Sequence, residues 1–371
     1  MKPFKEFINS KPLYYKEIDH KRVHNAYGIL KAHIKHPKVI HIVGTNGKGS
    51  TGRIIAHLAN SYMNVGHFSS PHIIEFNERI WINGEDISDN LLDIAHNRLY
   101  SILGDKVSLS LSYFEYTTLL ALVAFENLDL IVLEAGLGGE FDATNVCSKE
   151  LSVITPIGID HQDFLGNSIE EIASTKLRSI ESKALIAKQP YQEVYNIAKD
   201  IAKDRNTILY LADKNIELHL DWSSYLIDNA LVAIEALDIL NIKYNIKDLE
   251  NLELFGRFYK FRDNIILDVG HNVLASEAIV NSLDREIVLI YNSLDDKDYF
   301  RVLEILKPKI KRVEIIKISS QRATTINSIE SALDKLKIPY SLFNGNIDKT
   351  DEYLVFGSFY VVEEFLFLFC Q

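Results

Sequence analysis

The sequence predicts an α/β protein with two domains. Short β-branched runs recur along the chain, and a loop and a helical pattern follow most of them. Runs that are apolar on both faces are typical of buried parallel strands, and their alternation with helices is typical of α/β folds. The length of 371 residues also favours more than one domain.

The predicted strands cover residues 38–44, 128–136, 151–158, 264–270, 286–292 and 353–358, with a shorter one just before Ser69. Residues 223–240 have the periodicity of a helix, and residues 245–264 then lose periodicity and are rich in charge and turn residues. A new β-α alternation begins after that segment and ends in a strand and an amphipathic helix. We therefore place a domain boundary near Phe255, which gives domains 1–255 and 256–371.

Composition limits the class of protein. The net charge of −11 disfavours a nucleic-acid partner bound by a basic surface. Two cysteines, Cys147 and Cys370, are too few for a disulfide framework and favour a reducing compartment. We expect no signal peptide, because the first residues are charged and lack an apolar segment, and Glu363 and Glu364 interrupt the most apolar stretch of the chain. We expect a monomeric cytoplasmic protein without nucleic-acid or membrane partners.

The segment "HIVGTNGKGSTGRI", residues 41–54, predicts a phosphate-binding loop. Gly44, Gly47 and Gly49 let backbone N–H groups turn toward an anion, and the following helix adds its positive end. Lys48 adds a full charge. The spacing differs from the standard P-loop, since Gly49 separates Lys48 from Ser50. The alternative is an ordinary glycine-rich turn with a surface lysine.

Polar side chains follow several predicted strands. Glu134 ends a buried run, where a carboxylate is costly unless it is paired or bound to a metal. Ser69, Ser70 and His72 follow another run, and Asp160, His161 and Asp163 follow a third. Each alone could be a capping residue or a core histidine. Because ligands bind at the carboxyl ends of parallel strands, together they predict a site for Mg²⁺ and nucleotide phosphates.

These motifs also carry a family resemblance. "HIVGTNGKGST", "FSSPHIIEFNERIWING", "SYFEYTT", "VLEAGLGGEFDATN", "ITPIGIDHQDFLG" and "LDVGHN" occur in this order. The set resembles the folylpolyglutamate synthase/dihydrofolate synthase branch of the Mur ligase superfamily, over residues 38–180 and again in shorter motifs to the end of the chain. The resemblance implies a P-loop-containing Mur-ligase central-type domain with a parallel sheet, followed by a smaller Rossmann-like α/β domain.

The resemblance implies an ATP-dependent ligase. ATP would phosphorylate a carboxylate of dihydropteroate or of a folate, and the amino group of L-glutamate would displace phosphate from the acyl phosphate. A carboxylate resists nucleophiles until one oxygen becomes a leaving group. Phosphoryl transfer needs positioning and charge neutralisation, which Lys48 and Mg²⁺ would supply.

Residue roles follow from the same resemblance. The implied ATP contacts are Gly44, Thr45, Asn46, Gly47, Lys48, Gly49, Ser50, Asn229, Arg257 and Asp268. The implied metal ligands are Ser70, Glu134 and His161, with Lys176 carbamylated to hold a second Mg²⁺. Lys48, Lys176 and His271 are the expected catalytic residues. The expected pterin pocket comprises Ser112, Tyr113, Phe114, Glu115, Phe141, Asp142 and Ala143, with a looser match at residues 19–21.

Several alternatives stay open at this stage. Asp268 could cap a helix, Arg257 could be a surface charge, Lys176 could be a solvated helix lysine, and Phe114 could be a core aromatic. Glu140 stands where the family usually has arginine, which affects the expected pterin pocket. A ligase for another carboxylate and a non-catalytic ATP-binding module are the competing functions. Relatives that add the first glutamate, later ones or both share these motifs.

Overall fold

The structure is a computed structural model, and it describes residues 2–12 and 19–369. Contacts between residues group the chain into two compact units. The first unit comprises Met1–Ile157, Leu165–Ile216 and Asn229–Glu250, and the second comprises Gly158–Phe164, Glu217–Asp228 and Asn251–Gln371. The domain boundary near Phe255 stays a prediction, and two segments that precede it group with the second unit.

The first unit contains an eight-stranded sheet. Its strands are β1 Lys38–Val43, β2 Val65–Phe68, β3 Ile80–Ile82, β4 Glu85–Asp86, β5 Leu130–Glu134, β6 Leu151–Ile154, β7 Lys183–Ile186 and β8 Ile208–Leu211. Their order across the sheet is β4-β3-β2-β5-β1-β6-β7-β8. β3 pairs antiparallel with both β2 and β4, and all other neighbouring strands pair parallel.

The helices up to residue 239 belong to this unit, except that residues 162–164 and 224–228 of two of them group with the second unit. They are α1 Phe4–Asn9, α2 His20–Leu30, α3 Lys48–Asn60, α4 Asp89–Ser110, α5 Tyr113–Ala124, α6 Gln162–Leu165, α7 Ile169–Leu177, α8 Gln192–Arg205 and α9 Ser224–Ile239. The helix predicted over residues 223–240 is confirmed by α9. Cys147 is buried, and Cys370 lies outside the described residues.

The arrangement of β1 determines where the polar strand ends meet. β1 lies between β5 and β6 in parallel register, with Ile42 opposite both Glu134 and Val153. Residues 39–43 of β1 are all buried, as are all five residues of β5. The strands predicted at 38–44, 128–136 and 151–158 are confirmed. The loops that follow β1, β2 and β5 therefore leave the same edge of the sheet.

The second unit contains a six-stranded sheet. Its strands are β9 Tyr259–Arg262, β10 Ile265–Leu267, β11 Ile287–Tyr291, β12 Ile310–Ile315, β13 Tyr340–Leu342 and β14 Tyr353–Phe356. Its helices are α10 Val273–Ser282, α11 Tyr299–Leu306, α12 Ile326–Leu336 and α13 Phe359–Phe369. The order is β13-β12-β11-β14-β10-β9, and only β9 pairs antiparallel among these described strands.

The three strands predicted in this half of the chain are confirmed by β10, β11 and β14. β9 was missed within the segment 245–264, which also holds a short 3-10 helix at Ile246–Asn251. β9 is an edge strand whose charged residues Lys260 and Arg262 are exposed, so it lacks the continuous apolar run of a buried strand. Among residues 2–12 and 19–369, no helix combines the length and apolar character needed to cross a membrane.

Candidate active site

The loop between β1 and α3 requires glycine at two positions. Gly47 has a φ of 83° and caps α3, and a Cβ there would lie 2.8 Å from Oδ1 of Asn229. A Cβ on Gly44 would lie 2.0 Å from Oγ1 of Thr155. A left-handed backbone and close neighbours both exclude larger residues. The glycine spacing therefore reflects how tightly the loop is folded.

The start of α3 supplies the amides that suit a phosphate. The amides of Thr45 and Asn46 donate to the carbonyl of Pro156, at 2.9 and 3.2 Å. The helix's own bonding begins with the amide of Thr51, which donates to the carbonyl of Gly47 at 2.9 Å. The helix residues that precede Thr51, and whose amides come before this first bond, are Lys48, Gly49 and Ser50. They precede the first turn of intrahelical bonds and lie at the positive end of the helix, which is where anions bind.

Lys48 lies beside a buried carboxylate. Its Nζ is 3.2 Å from the carbonyl of Thr45 and 3.9 Å from Oε1 of Glu134. Glu134 ends β5 and is only 5% exposed, and its Oε2 accepts the amide of Ser70 at 3.2 Å. The structure therefore brings together three predicted site residues from the ends of three strands. A serine hydroxyl and a carboxylate are oxygen ligands, the kind that Mg²⁺ prefers, so the residues present fit a magnesium ion.

Asn229 is attached to the same loop. Its Nδ2 donates to Oγ of Ser50 at 2.9 Å, and that hydroxyl donates to the carbonyl of Gly47 at 3.2 Å. Asn229 lies on α9 and is buried. It therefore holds the first turn of α3, and its expected contact with ATP stays a prediction.

Lys176 reaches the loop from α7. The capping box of Ser168 and Glu171 fixes the start of this helix. Lys176 is 5% exposed, and its Nζ donates to the carbonyl of Gly44 at 2.8 Å. The alternative of a solvated helix lysine is therefore wrong. The amine lies beside the residue that opens the glycine loop.

Two of the expected pterin-pocket residues shape the start of α5. The amide of Ser112 donates to Glu115 at 2.7 Å, and the amide of Glu115 donates to Oγ of Ser112 at 3.2 Å. Arg22 holds the same carboxylate through two bonds of 2.9 and 3.1 Å. The S-x-x-E spacing is the known signature of such a capping box, so the sequence alone could have predicted it. In the loosely matched segment 19–21, Asp19 caps α2, and the side chain of His20 lies outside the described ones.

The aromatic pair of this segment faces two different neighbours. The guanidinium of Arg79 lies 5.3 Å from the ring centre of Tyr113. The rings of Phe114 and Phe68 have centres 5.9 Å apart, and a Cβ on Gly136 would lie 2.6 Å from Cζ of Phe114. Phe114 therefore packs directly on the "GLGG" segment that follows β5. This contact fits a core aromatic and also places the ring next to the expected pterin segments.

Residues 141–143 divide into an exposed ring and a buried carboxylate. Phe141 is 51% exposed, whereas Asp142 and Ala143 are each 5% exposed. Asp142 accepts the amide of Leu137 at 2.8 Å, and the amide and hydroxyl of Thr144 at 2.9 and 2.6 Å. Burial raises the pKa of Asp142 although these bonds oppose the rise. Asp142 thus stabilises its own loop, and Phe141 is the member of the set that solvent reaches.

Glu140 has a cation beside it. Arg178 lies 3.3 Å from its carboxylate, and the amide of Glu140 donates to the carbonyl of Thr175 at 2.9 Å. The acidic residue at this position is therefore balanced within the first unit. The pair is half-exposed, so we expect it to contribute little to stability.

In the second unit, Asp268 fixes the turn after β10. Its carboxylate accepts the hydroxyl of Tyr225 at 2.7 Å, the amide of Phe258 at 2.9 Å and the amide of Gly270 at 2.7 Å. Burial raises the pKa of Asp268, against these bonds and the charge of Arg257. Asn272 and not Asp268 caps α10, so the helix-cap alternative is wrong. Tyr225 lacked any sequence signal.

Arg257 is half-buried and not a plain surface charge. Its guanidinium lies 5.2 Å from the ring centre of Phe359, and it donates to the carbonyl of Gly256 at 3.1 Å. Stacking on an aromatic face orients the guanidinium plane. The expected contact of Arg257 with ATP stays a prediction.

The segment Gly158–Phe164, which groups with the second unit, carries His161 and Asp160. His161 has a φ of 53°, and its amide donates to Asp160 at 2.8 Å. Asp160 also accepts Nδ2 of Asn272 at 2.9 Å and forms an ion pair with Lys297. Burial would raise the pKa of Asp160, but His271, His161 and Lys297 together hold it well below its usual range.

His271 faces the same carboxylate. Its Nε2 lies 3.6 Å from Oδ2 of Asp160, and its Nδ1 lies 3.1 Å from the carbonyl of Val269. A carbonyl only accepts, so Nδ1 carries the proton in that bond. Lys297 carried no prediction in the sequence.

The predicted site residues thus fall into two groups. The first unit brings together the glycine loop, Ser70, Glu134, Lys176 and Asn229. The second unit holds His161, Arg257, Asp268 and His271, and their expected contacts with nucleotide or metal stay predictions. Over residues 2–12 and 19–369, no three His, Cys, Asp or Glu side chains surround a possible metal position. A metal at Glu134 would therefore depend on mixed ligands such as the Ser70 hydroxyl.

Comparisons with known proteins agree with this geometry. No family model matches the chain. The chain is 34% identical to the dihydrofolate synthase/folylpolyglutamate synthase of Buchnera aphidicola subsp. Schizaphis graminum, over 87% of this chain and 86% of the relative. The crystal structure of Helicobacter pylori folylpolyglutamate synthetase is similar with a TM-score of 0.80 and 39% identity, covering 99% of this chain and 97% of that one.

A third relative has been crystallised with a nucleotide and a metal. The bifunctional folylpolyglutamate synthase/dihydrofolate synthase of Yersinia pestis, complexed with AMPPNP and a Mn ion, has a TM-score of 0.87 and 26% identity. The alignment covers 100% of this chain and 98% of that one. Nearly the whole length of that relative therefore aligns with this chain.

The fold and the loop with its lysine and carboxylate define an ATP-dependent ligase of the Mur type. The chain belongs to the dihydrofolate synthase/folylpolyglutamate synthase family. The fold class, the family resemblance and the ligase activity predicted from sequence are confirmed. The competing function of a non-catalytic ATP-binding module is excluded by this membership.

Proposed function

We propose that the protein joins the amino group of L-glutamate to the carboxylate of dihydropteroate, of a folate, or of both, and uses ATP to do so. One observation carries the proposal. Lys48 at the start of α3 lies 3.9 Å from the buried Glu134, whose other oxygen accepts the amide of Ser70. Phosphate-binding amides, a cation and oxygen ligands are thus present at one sheet edge. The names of the relatives supply the acceptors.

The first step is a phosphoryl transfer. An oxygen of the acceptor carboxylate forms a bond to the γ-phosphorus of ATP as the bond to ADP breaks, which gives an acyl phosphate and ADP. The amides of Lys48, Gly49 and Ser50 bind the phosphates, and the Lys48 ammonium balances their charge. Ser70, Glu134 and His161 would hold Mg²⁺, whose charge would neutralise the phosphate oxygens. The Mn ion of the Yersinia pestis relative supports a divalent metal.

The second step forms the amide. The glutamate nitrogen bonds to the carbonyl carbon, the bond to the phosphate oxygen breaks, and the nitrogen loses a proton as phosphate leaves. His271, Arg257 and Asp268 bind the nucleotide from the second unit in this proposal. Phe141 is the exposed residue among those expected at the pterin pocket, and it offers a ring face to a flat heterocycle.

Lys176 carries a carbamate in this proposal and holds a second Mg²⁺. The ammonium would lose one proton, and the neutral amine would then attack CO₂, form an N–C bond and release a second proton. The cation would thereby become an oxygen ligand for a hard metal. Burial of Lys176 supports the step because it disfavours the charged amine. The remaining N–H can keep the bond to the carbonyl of Gly44. The enzyme acts as a monomer in the cytoplasm, and its few cysteines support a reducing compartment.

Phosphate release tests the proposal. Reactions contain ATP, Mg²⁺, L-glutamate and either dihydropteroate or tetrahydrofolate, and each component is omitted in turn. Sustained release should require both an acceptor and glutamate, and the acceptor that supports it identifies the activity. Equal release without any acceptor would contradict the proposal.

A further inference from the structure

A buried ion pair in the second unit has no role in the reaction as described so far. Asp160 is 8% exposed and Lys297 is 7% exposed, and they pair directly. Lys297 also lies 3.4 Å from Asp296. Breaking such a pair leaves an uncompensated buried charge, so each partner holds the other firmly in place.

The backbone on the lysine side is itself fixed. The amide of Lys297 donates to the carbonyl of Leu294 at 3.0 Å, and its carbonyl accepts the amide of Tyr299 at 2.9 Å. Asp298 then caps α11 through the amide of Arg301. Because the backbone at residue 297 is held on both sides, the position of its ammonium is defined by the fold and not by solvent.

The backbone on the aspartate side carries two expected functional histidines. Asp160 accepts the amide of its neighbour His161 at 2.8 Å. Its second oxygen accepts Nδ2 of Asn272 at 2.9 Å and lies 3.6 Å from Nε2 of His271. One carboxylate thus joins two histidine-bearing segments: residues 158–164, in which it lies, and residues 268–272, which it contacts at their end.

We propose that Asp160 and Lys297 are positioning residues that hold the segment of His161 and the turn of His271 in one arrangement. This inference rests on the proposed function for the roles of the two histidines. Lys297 contacts neither nucleotide nor acceptor in this account. It acts through Asp160, and loss of its charge would release both segments together.

Hydrogen exchange measured by mass spectrometry tests the positioning role without any need for turnover. The variants are Lys297→Met, Lys297→Arg and Asp160→Asn. Arg312→Met is the matched control, because Arg312 pairs with Asp351 and Glu314 within the same unit and away from these segments. We expect exchange in residues 158–164 and 268–272 to rise by about tenfold in Lys297→Met and Asp160→Asn. Lys297→Arg should stay near the wild type, and the control should leave both segments unchanged.

Turnover adds a second readout. The Mg²⁺ concentration for half-maximal rate and the KM for ATP should both rise in Lys297→Met, and Lys297→Arg should restore them in part. Arg312→Met should lower only the melting temperature. Unchanged exchange in a folded Lys297→Met protein, or an equal rise in Arg312→Met, would overturn the inference. An inactive wild type would refute the proposed function instead, and the exchange result would still decide the positioning role.

Discussion

Nζ of Lys176 donates a hydrogen bond to the carbonyl of Gly44 at 2.8 Å, and this bond joins α7 to the first residue of the glycine loop. The lysine is buried, so the bond is protected from water. An amine in this position can serve the loop in two ways. It can hold the backbone directly, or it can become a carbamate and bring an oxygen ligand to the same place.

Chemical rescue separates these two roles. Lys176→Ala should lose at least about 10²-fold in turnover, because a group near the phosphates is removed. A short-chain carboxylate should restore part of the rate if the native group is a carbamate, and bicarbonate should not. Lys149→Ala is the control, since Lys149 is also buried and donates to the carbonyl of Ser179 at 3.0 Å. If Lys176→Ala turns over at the wild-type rate both with bicarbonate and with the short-chain carboxylate, Lys176 has no catalytic role.

Lys48 should matter for rate more than for folding. Lys48→Ala removes the charge directed at the phosphates, and we expect turnover to fall by about 10²–10⁴-fold. The melting temperature should change little, since Lys48 is the first residue of α3 and its contact with Glu134 is long, at 3.9 Å. Lys188→Ala, which removes an exposed lysine of the same unit, should leave both quantities unchanged. Near-normal turnover of Lys48→Ala would refute the assignment of the loop.

Two glycines with a positive φ allow a test of the loop. Gly47 has a φ of 83° and Asn229 2.8 Å from its missing Cβ, whereas Gly104 has a φ of 71° and open space around it. Gly47→Ala should cost about 1 kcal/mol of unfolding free energy through backbone strain, and Gly104→Ala should cost more, because its ψ of 170° lies in a region that only glycine adopts readily. Gly47→Ala should in addition displace Asn229 and weaken ATP binding, measured by calorimetry. Equal ATP affinity in the two variants would contradict the role given to this loop.

Lys11 should make stability depend on pH. Its Nζ donates to the carbonyls of Ser108 and Leu111, each at 2.7 Å, and thereby caps the end of α4. Burial lowers the pKa of Lys11 from 10.5 to about 8, with Glu115 opposing the shift. The unfolded chain therefore binds more protons between these values, and this residue's contribution to stability rises with pH across that range.

The measurement is urea unfolding of wild type and Lys11→Met from pH 7 to pH 10.5. The unfolding free energy of the wild type minus that of Lys11→Met should increase with pH by about 1 kcal/mol, a value reduced for partial solvation. Lys5→Met removes an exposed lysine of the neighbouring α1 and should not reproduce this growth. A constant difference between wild type and Lys11→Met would show that the amine is not desolvated in the folded protein.

Seven of the fourteen strands in residues 2–12 and 19–369 were predicted, because their apolar runs are local, and the missed strands are β3, β4, β7, β8, β9, β12 and β13. β1 and β14 are buried along nearly their whole length, and such runs are visible in the sequence. β9 was not predictable, because an edge strand with alternating charge resembles a loop. The starts of α5 and α7 follow the capping-box spacing, so both capping boxes could have been predicted from local sequence, although they were not.

The burial of Lys11 and Lys297 could not be predicted, because their partners lie far along the chain. Lys11 bonds to carbonyls about a hundred residues later, and Lys297 pairs with Asp160 on a different strand-end loop. The bond from Tyr225 to Asp268 likewise joins a helix to a later turn. Lys11, Lys297 and Tyr225 carried no signal in the sequence, since periodicity gives no information about long-range partners.

The origin of the phosphate oxygen tests the central claim most directly. The enzyme is incubated with ATP, Mg²⁺, L-glutamate and dihydropteroate labelled with ¹⁸O in its carboxylate, and then separately with labelled folate. Mass spectrometry then measures the product and the released phosphate. Transfer through an acyl phosphate predicts one ¹⁸O atom in each released phosphate and an acceptor extended by one glutamyl unit. Unlabelled phosphate, or release without an extended acceptor, would contradict the account.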